Sequence, residues 1–229
     1  MSRLPAAVVA ETPGVSHNPG KPRFRGTSHL LAFVSALTLA PVMIVSAPGV
    51  GPRLVMAVYT VAIVGLFGIS ALYHRNDWGD RGFLIMRRLD HSMIFVAIAG
   101  TYTPIALFGL PSSSARLVLL VVWIGAILGI ISRVAWTDAP YPVIAGPYVA
   151  VGWACLLVVG DVWRSLGAAG FILLLVGGLL YTAGAAVYAV RRPDPWPLTF
   201  GYHEVFHVFV IGGAAVHYVV VAFFALPKV

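Results

Sequence analysis

Of 229 residues, 59% are hydrophobic and 10% charged, whereas soluble domains carry about 25% charged residues; an ordinary soluble enzyme, a disordered chain and a disulfide scaffold are excluded. The net charge of +7, from 15 basic and 8 acidic residues, sets orientation in a lipid bilayer and gives no reason to expect a nucleic-acid partner. The single cysteine, Cys155, leaves no intrachain disulfide and no cysteine-based metal cluster.

The elements follow in chain order. Residues 1–27 are rich in proline and glycine (Pro5, Pro13, Gly14, Pro19, Gly20, Pro22) and read as a disordered, uncleaved cytoplasmic tail. Residues 28–229 read as one membrane domain of apolar runs separated by charges, prolines and glycines. Spans are expected at about 28–47, 53–74, 88–108, 115–133, 143–160, 167–190 and 203–226. The fold class is therefore all-α: an integral membrane bundle of seven transmembrane helices.

Basic residues orient it. Arg3, Lys21, Arg23, Arg25, Arg75, Arg81, Arg87, Arg88, Arg133, Arg191 and Arg192 fall on one side, eleven in all; Arg53, Arg116, Arg164 and Lys228 fall on the other. The amino terminus is expected in the cytoplasm and the carboxyl terminus outside. Trp78, Trp136, Trp163 and Trp196 sit near span ends, as an aromatic belt would.

Ionisable groups within spans are costly and are functional candidates. His74 ends the second span, Asp90 and His91 begin the third, and His203, Glu204 and His207 begin the seventh. All fall on the cytoplasmic side. His203 and His207 are four residues apart and share a helix face, a spacing that suits two imidazoles on one metal, with His74 as the third. Zinc favours such nitrogen ligands, and a catalytic zinc commonly has three protein ligands plus water. Ser70, one turn before His74, could bond a ligand or that water, and Asp90 could hold the water and accept its proton. The same residues also fit a plainer reading: interfacial histidines satisfied by backbone or lipid headgroups, and a carboxylate paired with Arg87 or Arg88. His91 is rotated about 100° from Asp90 and reads as structural or as supporting the ligands. Glu204 reads as a reserve base or a headgroup-facing residue. His217 lies about 21 Å along the helix from His203, beyond reach of the same metal, and reads as packed or pore-facing. His17 and His29, in or beside the tail, carry little signal.

Three motifs in order now spell a family pattern. Ser70-Ala71-Leu72-Tyr73-His74 is followed by Arg88-Leu89-Asp90-His91-Ser92 with Gly100-Thr101-Tyr102-Thr103-Pro104. The third is His203-Glu204-Val205-Phe206-His207. Together they resemble the hemolysin III family, within the progestin and adipoQ receptor superfamily, from about residue 25 to the end. The resemblance implies a seven-span bundle with zinc near its cytoplasmic side. It implies His74, His203 and His207 as metal ligands, Asp90 as the catalytic carboxylate near the metal's water, and Ser70 as the motif serine. Adiponectin receptors look like ceramidases, and the bacterial branch is associated with haemolysis and membrane-lipid homeostasis. The implied function is zinc-dependent hydrolysis of a lipid amide or ester, with a ceramide-like lipid among the candidate substrates. The alternative is a non-enzymatic membrane regulator or pore-forming hemolysin with a structural zinc. Membrane lipids are the expected partners and a protein hormone is not. The expected location is the plasma (bacterial inner) membrane.

Overall fold

The computed structural model describes residues 22–229. Most of the expected tail, with Arg3, His17 and Lys21, lies outside the described residues. The described chain is helical almost throughout. In order it forms α1 (Thr27–Ser46), α2 (Val50–Arg75), α3 (Asp80–Gly109), α4 (Ser112–Ala135) and α5 (Tyr141–Gly152). A short 3₁₀ segment (Ala154–Val158) leads into α6 (Val159–Val190), and α7 (Tyr202–Val220) ends in a π turn and a 3₁₀ turn. Six helical stretches are long and apolar enough to cross a membrane, one of them the fifty residues Tyr141–Val190. In lipid, a helix is favoured because it satisfies its own backbone polar groups.

Expected spans 1 to 4 and 7 fall on α1 to α4 and α7. α3, however, starts at Asp80 rather than near residue 88, so Asp90 and His91 lie well inside a helix and not at its first turn. The stretch Tyr141–Val190 departs further. α5 stops after twelve residues, and the break is stitched by Tyr102. Its hydroxyl donates to the Gly152 carbonyl at 2.6 Å and accepts the Cys155 N–H at 2.9 Å. Helical backbone is interrupted again at Gly167, where φ is 67° and ψ 177°, a region open to glycine. The contacts nest about that point. The Tyr141 and Tyr188 rings are 5.0 Å apart, Trp153 Nε1 donates to Thr182 Oγ1 at 3.0 Å, and the Trp163 and Phe171 rings are 5.2 Å apart. The two arms therefore run antiparallel.

The core is apolar, with Met56, Phe95, Val118, Val122 and Val162 fully buried, while Leu31, Val45, Leu120 and Ile131 face outward. An apolar exterior over an apolar core suits a bundle solvated by lipid. Helices approach closely at small residues: a Cβ on Gly129 of α4 would lie 2.2 Å from Phe95 Cζ of α3.

Residues 22–26, assigned from composition to the tail, are tied down. Arg23 and Phe24 donate backbone N–H groups to the Leu198 and Thr199 carbonyls at 3.0 and 3.1 Å. Gly26 has φ 76°, and a Cβ there would lie 2.8 Å from His74 Cβ. Arg133, counted from sequence as a loop-flanking cation, is buried. Its guanidinium donates to the Trp136 and Thr137 carbonyls at 2.9 and 2.7 Å.

Candidate metal centre

The i, i+4 spacing puts His203 and His207 on one face of the first turns of α7, while the end of α2 brings His74 across to them. One nitrogen from each of His74, His203 and His207 lies within 4.8 Å of the others, so the three could hold a metal ion. His203 Nε2 and His74 Nε2 are 3.1 Å apart. His207 is buried, and its Nδ1 has no hydrogen-bond partner among the described residues.

Asp90 reaches the cluster from α3, with Oδ2 3.9 Å from His74 Nε2. The Ser70 side chain, one turn before His74, hydrogen-bonds Asp90. All five residues singled out from sequence as ligands or catalytic groups thus converge, drawn from α2, α3 and α7.

The other candidates separate from them. Glu204 turns away from the cluster. It pairs with Arg25 at 2.5 Å and accepts the Gly201 N–H at 2.8 Å, the half of a capping box that a glycine at the helix start still permits. His217 makes a 3.1 Å contact with the Leu174 carbonyl, far from the trio. His91 contacts Arg133 through Nδ1. The residue that sequence reasoning missed is His29. It is buried in the first turn of α1, and its ring stacks on His207 with centroids 3.7 Å apart and planes 12° apart. Its signal was available: it falls at the same expected membrane depth as the other histidines.

Two cavities meet at this cluster. An apolar one of about 130 Å³ borders Ser70, Asp90 and His207 and extends to Trp153, Cys155 and His217. A more polar mouth of about 570 Å³ is lined by Arg25, Tyr73, His74, Asp77, Arg87 and Tyr202. His91 and His203 border both. The arrangement can hold an amphiphile, with its apolar part inside and its polar part toward the mouth.

Apolar helices around a largely buried three-histidine cluster define a multi-pass membrane protein with a site able to hold a metal. The sequence profile described as "Haemolysin-III related" matches residues 17–218. The chain is 34% identical over 172 residues to "Hemolysin-3" of Bacillus cereus, covering 74% of each chain. It is also 34% identical over 142 residues to "Hemolysin-3 homolog" of Bacillus subtilis (strain 168), covering 62% of this chain and 64% of that one. It is 27% identical over 214 residues to "Adiponectin receptor protein" of Drosophila melanogaster, covering 83% of this chain but 48% of that longer one. The chain belongs to the haemolysin-III related family. Its two Bacillus relatives fit a place in the bacterial plasma membrane.

Proposed function

We propose that the protein is a seven-span, zinc-dependent hydrolase of a lipid amide or ester, oriented with its amino terminus in the cytoplasm. The observation that carries this reading is the convergence of three histidines with Asp90 where an apolar cavity meets a polar mouth. The fold-back at Gly167 supports two crossings within Tyr141–Val190, and hence seven in all.

The donor set fits zinc. Tetrahedral zinc with Zn–N of about 2.0–2.1 Å brings ligand nitrogens to about 3.4 Å from one another, and the His74 and His203 nitrogens are 3.1 Å apart. His207, buried beside them, brings one more imidazole nitrogen within 4.8 Å of the other two. Bound zinc supplies Lewis-acid activation of water and of a carbonyl.

The chain's own residues do the rest. Asp90 Oδ2 takes a proton from the attacking water and returns it to the amine or alcohol that leaves as the acyl C–N or C–O bond breaks. Ser70 orients the Asp90 carboxyl group through their hydrogen bond. The apolar cavity excludes bulk water from the acyl chain, while the polar mouth accommodates a headgroup.

The test is turnover of a panel of sphingolipids, phospholipids and acyl amides by purified protein, with zinc measured in every sample. Wild type should carry close to one zinc per chain, and His207→Ala should lose most of it. Asp90→Ala should keep zinc and lose about 10²–10⁴-fold in rate. No turnover across the panel, with Asp90→Ala retaining full cellular activity, would end the enzyme reading. The names of the Bacillus relatives favour a second reading, membrane lysis. It calls for leakage from lipid vesicles that is indifferent to Asp90→Ala.

A further inference from the structure

The hydrolase reading leaves His91 unused, although His91 stands where the two cavities join. It is buried on α3 beside Asp90. Two contacts fix it. The Arg133 guanidinium approaches its Nδ1 at 3.2 Å. Tyr148 donates its hydroxyl to the His91 carbonyl at 3.1 Å. The Arg133 side chain is itself held by the Trp136 and Thr137 carbonyls, and Thr137 is held in turn by Arg88 Nε at 3.0 Å.

A guanidinium has only N–H donors and stays protonated in proteins. Facing it, His91 Nδ1 can only accept. A neutral imidazole whose Nδ1 accepts carries its proton on Nε2. Nε2 has no hydrogen-bond partner among the described residues. Within this buried residue, Nε2 keeps some exposure to the space around it. The result is an N–H donor held in one tautomer at the boundary between the polar mouth and the apolar cavity.

We infer that His91 is a substrate-binding residue whose Nε2–H donates to an oxygen of the bound amphiphile, the carbonyl of an amide or ester, and that Arg133 is the positioning residue that fixes this tautomer. The substrate class rests on the hydrolase reading above; the tautomer does not. The donor places the acyl carbonyl at the junction, with its chain in the apolar cavity. It also selects for ligands with an acceptor there: a plain hydrocarbon chain has none for the donor to meet.

The experiment uses the full-length, zinc-loaded protein in lipid nanodiscs, with its histidines labelled with ¹⁵N. The difference between wild-type and His91→Gln spectra identifies the His91 nitrogens. The expected result is a protonated Nε2 and a bare Nδ1; the opposite tautomer overturns the inference. In Arg133→Met the two tautomers should mix, and should that variant fail to fold, the wild-type spectrum still decides.

Binding of N-octanoylsphingosine carrying a ¹³C carbonyl is then measured. His91→Phe should weaken it about 3- to 10-fold with zinc content unchanged, the worth of one hydrogen bond. It should also shift the carbonyl resonance. His91→Gln, which can offer an N–H near the same place, should restore much of both. Wild-type affinity in His91→Phe, or no binding to wild type, overturns the inference. Binding that depends on His91 but is followed by no hydrolysis leaves the inference standing and removes the hydrolase reading alone.

Discussion

Arg25 and Glu204 make a buried ion pair at the edge of the histidine cluster, with Arg25 Nε 2.5 Å from Glu204 Oε1. The Arg25 side chain is 19% exposed and that of Glu204 1%, so the carboxylate depends on its partner far more than the guanidinium does. In Arg25→Met, Glu204 keeps only the Gly201 N–H, at 2.8 Å, and its charge is left buried. Removing one member of a buried pair costs about 3–5 kcal/mol. Water reaching the vacated side favours the lower end, about 3 kcal/mol, or roughly 150-fold in the unfolding equilibrium. Glu204→Gln in the same chain removes the charge while preserving the capping bond, since glutamine serves at that helix position as well. The double variant should therefore stand within about 1 kcal/mol of wild type. Equilibrium unfolding in mixed micelles, followed by tryptophan fluorescence, gives the four corners of the cycle. A loss below about 1 kcal/mol in Arg25→Met, or a double variant worse than Arg25→Met alone, would refute the reasoning.

Three further outcomes are expected. Gly129→Ala drives a Cβ to 2.2 Å from Phe95 Cζ; overpacking of about 1–3 kcal/mol outweighs the gain in helix propensity of about 1 kcal/mol. The same unfolding assay should show a loss, and stability at or above wild type would refute the tight contact. His29→Ala removes the ring stacked on His207 and should weaken zinc binding about 2- to 10-fold in chelator competition, the worth of an aromatic pair. His29→Phe should keep most of the affinity, and equal binding by all three proteins would show that the stack does nothing for the site. Reporters that work only in the cytoplasm should be active at the amino terminus and silent at the carboxyl terminus; the reverse would overturn the proposed orientation.

The features legible in the sequence were local ones or ones set by the solvent. Apolar runs between prolines and glycines report helices because lipid leaves the backbone few other ways to satisfy itself. The His203–His207 pair was legible because four residues on a helix return to the same face whatever surrounds them. That His74, Asp90 and Ser70 belong with them followed from a shared end of the spans and from the family pattern. Their meeting then depended on helices packing in one rotation.

The remaining features depended on contacts between residues distant in the chain. His29 was passed over as tail, yet it stacks on a residue at the other end of the sequence. Glu204 looked like a reserve base until Arg25 was found against it. Arg133 looked like a loop charge, but three acceptors around α4 and α3 hold it inside. The halt of α5 depends on a hydroxyl from α3, that of Tyr102. The sequence alone determined that this chain is a bundle of apolar helices and which residue types could bind a metal. Only the tertiary structure decided which polar groups face one another, because that is fixed by the rotation and depth of each helix against its neighbours, and a one-dimensional period carries neither.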